Sequence, residues 1–160
     1  MAERDPEAVR RFIEHFASVL VEAGLSRMPA RVFAALQSTD SGRLTAAELA
    51  EMLQVSPAAI SGAVRYMVQV DMIRREREPG SRRDQYVVDS DYDMILRRDK
   101  ILLRWQASVQ EGVDALGSET PAGARLAESL AFFEFLHREF SELPAKWEKV
   151  KAELGTTRPH

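Results

Sequence analysis

Six arginines and no lysine stand between Ser56 and Tyr86: Arg65, Arg74, Arg75, Arg77, Arg82 and Arg83. Four acids share the stretch, Asp71, Glu76, Glu78 and Asp84, giving a local balance of +2 in a chain of formal net charge −3. A guanidinium is a planar fork of donors that fits a phosphate or the acceptor edge of a guanine. Arg82 and Arg83 follow the pair Pro79-Gly80, a strong turn signal that places them at the tip of a hairpin. Arg65 stands apart, at helical spacing from Ala58, Ser61 and Gly62, so a cation is set among small residues. The chemistry on offer is capture of an anionic partner by charge and forked hydrogen bonds. On charge alone, a solvated, salt-bridged hairpin explains the same residues.

Other chemistries lack their residues. Without Cys there is no thiolate metal site and no disulfide, which fits a reducing compartment. The three His, at 15, 137 and 160, are too scattered for a metal cage. His15 and His137 lie on Phe-rich helices and read as packed or surface residues. Acidic pairs abound, but none is joined to a nucleophile or a Gly-rich phosphate loop, so neither an enzyme nor a cofactor is expected. Apolar runs are a few residues long, against the about 20 that span a bilayer. The start Met-Ala-Glu-Arg-Asp-Pro is wrong for a secretory signal, and the expected location is cytoplasmic with no membrane partner.

The elements that must position the arginines are mostly helices. Asp5 to Ala23 reads as a first helix, with Pro6 at its start and Val9, Phe12, Ile13, Phe16, Val19 and Leu20 at helical spacing. A second helix runs from Pro29 to Ser38, ended by the turn Thr39-Asp40-Ser41-Gly42, and Leu44 fits a very short strand. Thr45-Ala-Ala-Glu48 is a capping box that opens a third helix with Leu49, Met52 and Leu53 inward. Ser56-Pro57 starts a fourth almost at once, so a tight turn at Gln54 and Val55 joins the two. Ile60, Ala63, Val64 and Met67 give that helix an inward face. Its outer face is Ala58, Ser61, Gly62, Arg65 and Gln69, stripped of the long charged side chains that solvent-facing helices normally carry. Such a face suits close approach to another surface.

After Asp71 the period changes to two strands, Met72 to Glu78 and Gln85 to Val88, around the turn Pro79 to Arg83. Asp89, Ser90 or Asp91 can cap a long helix reaching about Leu116. Gly117 to Pro121 breaks it, and a last helix carries Leu126, Leu130, Phe133, Leu136 or His137, and Phe140, with Phe132 and Phe135 on another side. Beyond Leu154 a frayed tail is expected.

Two short helices joined by a tight turn, followed by an Arg-rich hairpin, describe a winged helix-turn-helix in a mainly α fold with a small β-wing. The expected lobe is 27–88. The expected DNA contacts are Ser56, Ala58, Ser61, Gly62 and Arg65 on the fourth helix, in or beside the major groove, with Arg82 and Arg83 at the minor groove. The segment Leu44 to Met67, with its Leu-Thr-Ala-Ala-Glu-Leu-Ala start, resembles the helix-turn-helix of MarR-type bacterial transcriptional regulators. The wing Gly80-Ser-Arg-Arg-Asp-Gln-Tyr86 looks more like the GbsR-like branch of that superfamily than like members with Asp-Arg-Arg followed by Leu-Thr. The resemblance implies a homodimer whose first and last two helices, residues 5–24 and 91–154, join the subunits.

The last helix supports this independently, because Phe132, Phe133, Phe135, Leu136 and Phe140 make it apolar on more than one side. Phe12, Phe16, Leu130, Phe133 and Phe140 are the expected dimer contacts; cover by the first helix within one chain is the alternative. The function expected is a transcriptional regulator, a repressor, binding double-stranded DNA at a pseudo-palindromic operator, with room for a small-molecule effector near Trp105 and Tyr66. A winged-helix module that binds protein and never DNA is the competing class.

Overall fold

The computed structural model describes residues 5–77, 80, 83–88 and 99–155. Two compact units divide the chain after Ser90. The first holds α1 (Pro6–Glu22), α2 (Arg27–Gln37), β1 (Arg43–Thr45), α3 (Ala46–Leu53), α4 (Pro57–Gln69), β2 (Arg74–Arg77) and β3 (Asp84–Val87). The second is a helical hairpin of α5 (Asp99–Leu116) and α6 (Pro121–Leu154).

In the first unit α2 is the central post. Ala30 and the five successive residues Val32 to Leu36 are buried, so this helix is covered on nearly every side. Its alanines let α1, α3 and α4 come close, and Ile13, Leu49, Leu53, Ile60, Val64 and Met67 complete the core around it. The helix starts at Arg27 after Ser26, two residues before Pro29, because Pro fits as well in the first turn as at its first position. The core-facing residues expected for α4, Ile60, Ala63, Val64 and Met67, are the buried ones.

The expected capping box is formed: the Glu48 amide donates to Thr45 Oγ1 at 3.3 Å, and Glu48 Oε2 accepts from the Thr45 amide at 2.6 Å. α3 ends with Gln54 in the left-handed region (φ 54°), which lets the Val55 amide donate to the Ala50 carbonyl at 3.0 Å. α4 ends the same way at Asp71 (φ 57°), where the Met72 amide donates to the Met67 carbonyl at 2.9 Å. Neither position holds the Gly that such an ending favours, and both flank the same helix.

β2 and β3 pair antiparallel as the wing, with Arg75 opposite Tyr86. β1 pairs with the other edge of β3, Leu44 opposite Tyr86, giving the sheet order β1-β3-β2. The wing is thereby stitched to the strand that leads directly into α3. β2 begins at Arg74, two residues later than the composition suggests, because Met72 and Ile73 are buried in the core that follows α4. Of the expected turn and cap residues, Pro79, Ser81, Arg82, Asp89, Ser90 and Asp91 lie outside the described residues.

In the second unit a side-chain carbon at Gly123 would run into the Gly117 carbonyl, so only glycine lets the start of α6 sit against the end of α5. Thr120 caps α6 by accepting from the Gly123 amide at 3.0 Å. Trp105 meets Phe133 with ring centroids 5.6 Å apart, and Gln106 Nε2 donates to the Phe133 carbonyl at 2.9 Å. The 34 residues of α6 reach about 51 Å, against about 27 Å for the 18 of α5. The helix runs on through Pro144.

Candidate nucleic-acid interface

Ser56 opens α4: its Oγ accepts from the Ala59 amide at 3.3 Å, and its carbonyl accepts from the Ala59 and Ile60 amides. Pro57 has no amide hydrogen, so the first-turn donor left facing outward is that of Ala58. An anion at this end would meet that amide, the Ser56 hydroxyl proton and the positive pole of the helix.

Along the helix, Ala58, Ser61, Gly62, Arg65, Tyr66 and Gln69 are all exposed. The structure therefore brings every expected reader on α4 onto one solvent-facing surface. Arg65 lies against Ser61, Nη2 3.5 Å from its hydroxyl, which leans the guanidinium toward the start of the helix. Gly62 sits in open space, since a side-chain carbon built there meets nothing within 4 Å. Among the described residues, its lack of a side chain serves no contact.

The wing arginines divide into two groups. Arg75 is tied to Asp84, and the guanidinium holds that carboxyl below its usual range while Asp84 raises Arg75 in turn. Arg74 meets Glu76 at 2.9 Å, and Arg43 reaches the same carboxylate across the sheet at 3.7 Å. For Arg74 and Arg75 the salt-bridged hairpin is thus the correct reading. Arg77 and Arg83 are exposed toward the tip, and Arg82 lies outside the described residues.

Glu48 links the two halves of the site. Hydrogen bonds from the Thr45 amide and hydroxyl lower its pKa, and the positive charge of Arg83 adds to the effect. The first strand after the wing tip therefore lies close to the start of α3.

Sequence reasoning points to Phe12, Phe16, Leu130, Phe133 and Phe140 as intersubunit residues. Phe12 is 47% exposed and stacks on Phe16, which reaches inward to Phe33. Leu130, Phe133 and Phe140 are half-buried, and Phe133 meets Trp105 of α5. More open are Phe132, Phe135, Leu143, Trp147, Val150 and Leu154, spaced three or four residues apart but for one gap of eight, which puts them on one side of α6 as a second stripe. That spacing is present in the sequence and marks this stripe independently of the first. Among the described residues no cluster of His, Cys, Asp or Glu could hold a metal, and no helix is long and apolar enough to cross a membrane.

The fold has known counterparts. A solved transcriptional regulator aligns over 89% of this chain and 99% of its own, with a TM-score of 0.78 and 23% identity. A MarR family regulator from Streptomyces coelicolor (16% identity, 85% of this chain and 90% of its own, TM-score 0.41) is a more distant match. So is a transcriptional regulator from Thermotoga maritima (18% identity, 84% and 93%, TM-score 0.41). The likeness of fold rests on the first. No curated protein matches the chain. Two family models do: a MarR family model over residues 23–84, and the model of MmpR5-like MarR family transcriptional regulators over residues 89–150. The first spans the helix-turn-helix with most of the wing, and the second spans the helical hairpin, so together they take in most of the chain. The chain belongs to the MarR family of winged helix transcriptional regulators, which bind DNA and are not enzymes.

Proposed function

We propose that this regulator is a homodimeric repressor that binds a pseudo-palindromic operator, with α4 in the major groove and the wing beside the minor groove. The observation that carries this reading is the outer face of α4, where Ala58, Ser61 and Gly62 clear the way for the single cation Arg65. Residues 27–88 act as the DNA-binding lobe, and residues 5–24 and 91–154 as the dimerisation region. The exposed Phe12 on α1 and the open stripe from Phe132 to Leu154 on α6 are the surfaces a second copy would cover. Two-fold symmetry would set the recognition helices about 34 Å apart, one turn of DNA. Cytoplasmic location and release by a small-molecule effector belong to the same proposal, and the exposed Trp105 supplies a fluorescence reporter for the effector. Within the family, the wing pattern supports a place near the GbsR-like branch.

Selection of bound duplexes from a random DNA pool tests this, followed by a salt titration on the selected site. An inverted repeat with half-sites one turn apart is the expected result. Replacing Arg82 and Arg83 together by Ala should flatten the salt dependence by about 0.9 in log-log slope for each phosphate that the protein no longer neutralises. Tyr66, 43% exposed on the same helix, favours the competing reading of a protein-binding winged helix. Failure to enrich any duplex would give that reading the field.

A further inference from the structure

α2 is a buried post, yet one arginine interrupts its core-facing run: Arg31, whose side chain is only 18% exposed. Its guanidinium has two partners from two other helices. Nε and Nη2 each lie 2.7 Å from Glu14 Oε1 on α1, and Nη2 also donates to the Leu53 carbonyl at 3.1 Å. Glu14 in turn lies 3.7 Å from Arg27, so this carboxylate is anchored at the start of α2 as well.

Leu53 is the last residue of α3, and its carbonyl needs a donor from outside the helix. A continuing helix would supply the amide of residue 57, but Pro57 has none. Ala50 and Glu51 are served by the turn itself, through the Val55 and Gln54 amides. Arg31 serves Leu53, and a cation at that end also opposes the negative pole of α3. One side chain thus ties α1 to the peptide group three residues before Ser56, where α4 begins.

We infer that Arg31 is a positioning residue for DNA recognition: it couples α1 to the turn that aims α4, so that operator affinity depends on the Glu14–Arg31–Leu53 connection. The inference rests on the DNA-binding reading and assigns a role in recognition to a side chain that is not itself among the proposed readers. It also gives α1 a direct mechanical route to the recognition helix. A charged hydrogen bond that is planar and shared between two acceptors holds direction as well as distance. Lys, a point donor on a flexible stem, cannot make both contacts in one plane.

The test uses the full chain with Arg31→Met, Arg31→Lys and Glu14→Gln, each assayed against the duplex selected by the wild type and against random duplex. Arg31→Met should weaken operator binding about tenfold, the scale of one charged hydrogen bond. Random-duplex affinity and the salt slope should stay as in the wild type, because neither depends on how α4 is aimed. Arg31→Lys should recover part of the loss, and exchange of the Val55 amide should quicken in Arg31→Met. Wild-type operator affinity in a folded Arg31→Met variant would overturn the inference. So would parallel losses on both duplexes with a flatter salt slope, which would make Arg31 a phosphate contact. If Arg31→Met does not fold, Glu14→Gln decides by the same two affinities and by Val55 exchange. If the wild type selects no duplex, the DNA reading falls, and Val55 exchange in the variants still tests the coupling.

Discussion

Arg65 lies one helical turn beyond Ser61, with its guanidinium 3.5 Å from the Ser61 hydroxyl, and both side chains stand on the exposed face of α4. The hydroxyl biases a long side chain toward one direction before any DNA arrives. If that direction points at a guanine, the forked geometry is what reads it. Arg65→Lys keeps the charge and removes the fork, so it should cost about 2 kcal/mol on the selected operator and almost nothing on random duplex. Fluorescence anisotropy on the two duplexes separates the outcomes. Equal small losses on both would make Arg65 a phosphate contact.

The two neighbours Phe132 and Phe133 should respond differently to the same change. Phe133 packs against Trp105 with the rings tilted by 55° and offers its carbonyl to Gln106, so Phe133→Glu strikes inside the hairpin and should destabilise it by about 3 kcal/mol. Phe132 is 55% exposed in the chain alone, and the ring it meets is that of its own neighbour Phe133, with centroids 6.2 Å apart. Phe132→Glu should therefore leave helicity intact while converting dimer to monomer. Sedimentation velocity at several concentrations decides it. An unchanged dimer would remove the stripe from Phe132 to Leu154 from the interface.

Glu48 gives the fold a pH signature. Its pKa is lowered by the Thr45 hydrogen bonds, with help from Arg83, relative to the unfolded chain at 4.5. A carboxyl with a depressed folded pKa contributes stability that is fully present above the unfolded value and is lost as pH falls through the folded value. Unfolding free energy should thus decline below pH 4.5 in the wild type, and Glu48→Gln should show a shallower decline there. Urea titrations between about pH 3 and pH 7 supply the comparison. Parallel profiles would mean that the capping box contributes nothing titratable to stability.

How much of this is legible in the sequence depends on how local each cause is. The capping box at Thr45, the turn at Gln54 and the inward face of α4 follow from neighbours within four residues, and each stands where its pattern places it. Pairing of β1 with β3 joins residues forty or more positions apart, and nothing near Leu44 announces it. The start of α2 differs from its expected place because Pro29 is equally at home at two positions of a first turn. On α6 the sequence marks the Phe cluster but not which ring faces α5, since that depends on where the partner helix lies. Arg31 carries a signal of its own: a charge set directly before five apolar residues inside a short helix is a side chain with a buried acceptor to find.

Gly62 separates a groove-fitting helix from one that merely tolerates a glycine. A helix-interior glycine costs about 1 kcal/mol relative to Ala. Close packing within the chain could justify that cost, but a side-chain carbon at this position meets nothing within 4 Å. The φ angle is an ordinary helical one, so no turn requires glycine either. Gly62→Ala and Gly62→Leu should therefore both raise the melting temperature. If the face of α4 lies in the major groove, they should part company on DNA. Ala adds one carbon and should cost little, whereas Leu should hold the backbone away from the bases and abolish the preference for operator over random duplex. Its residual affinity should keep the wild-type salt slope, because the wing and the phosphate contacts remain. Operator binding undiminished in a stabilised Gly62→Leu variant would show that this face of α4 stays in solvent, and the recognition surface would have to be sought elsewhere on the lobe.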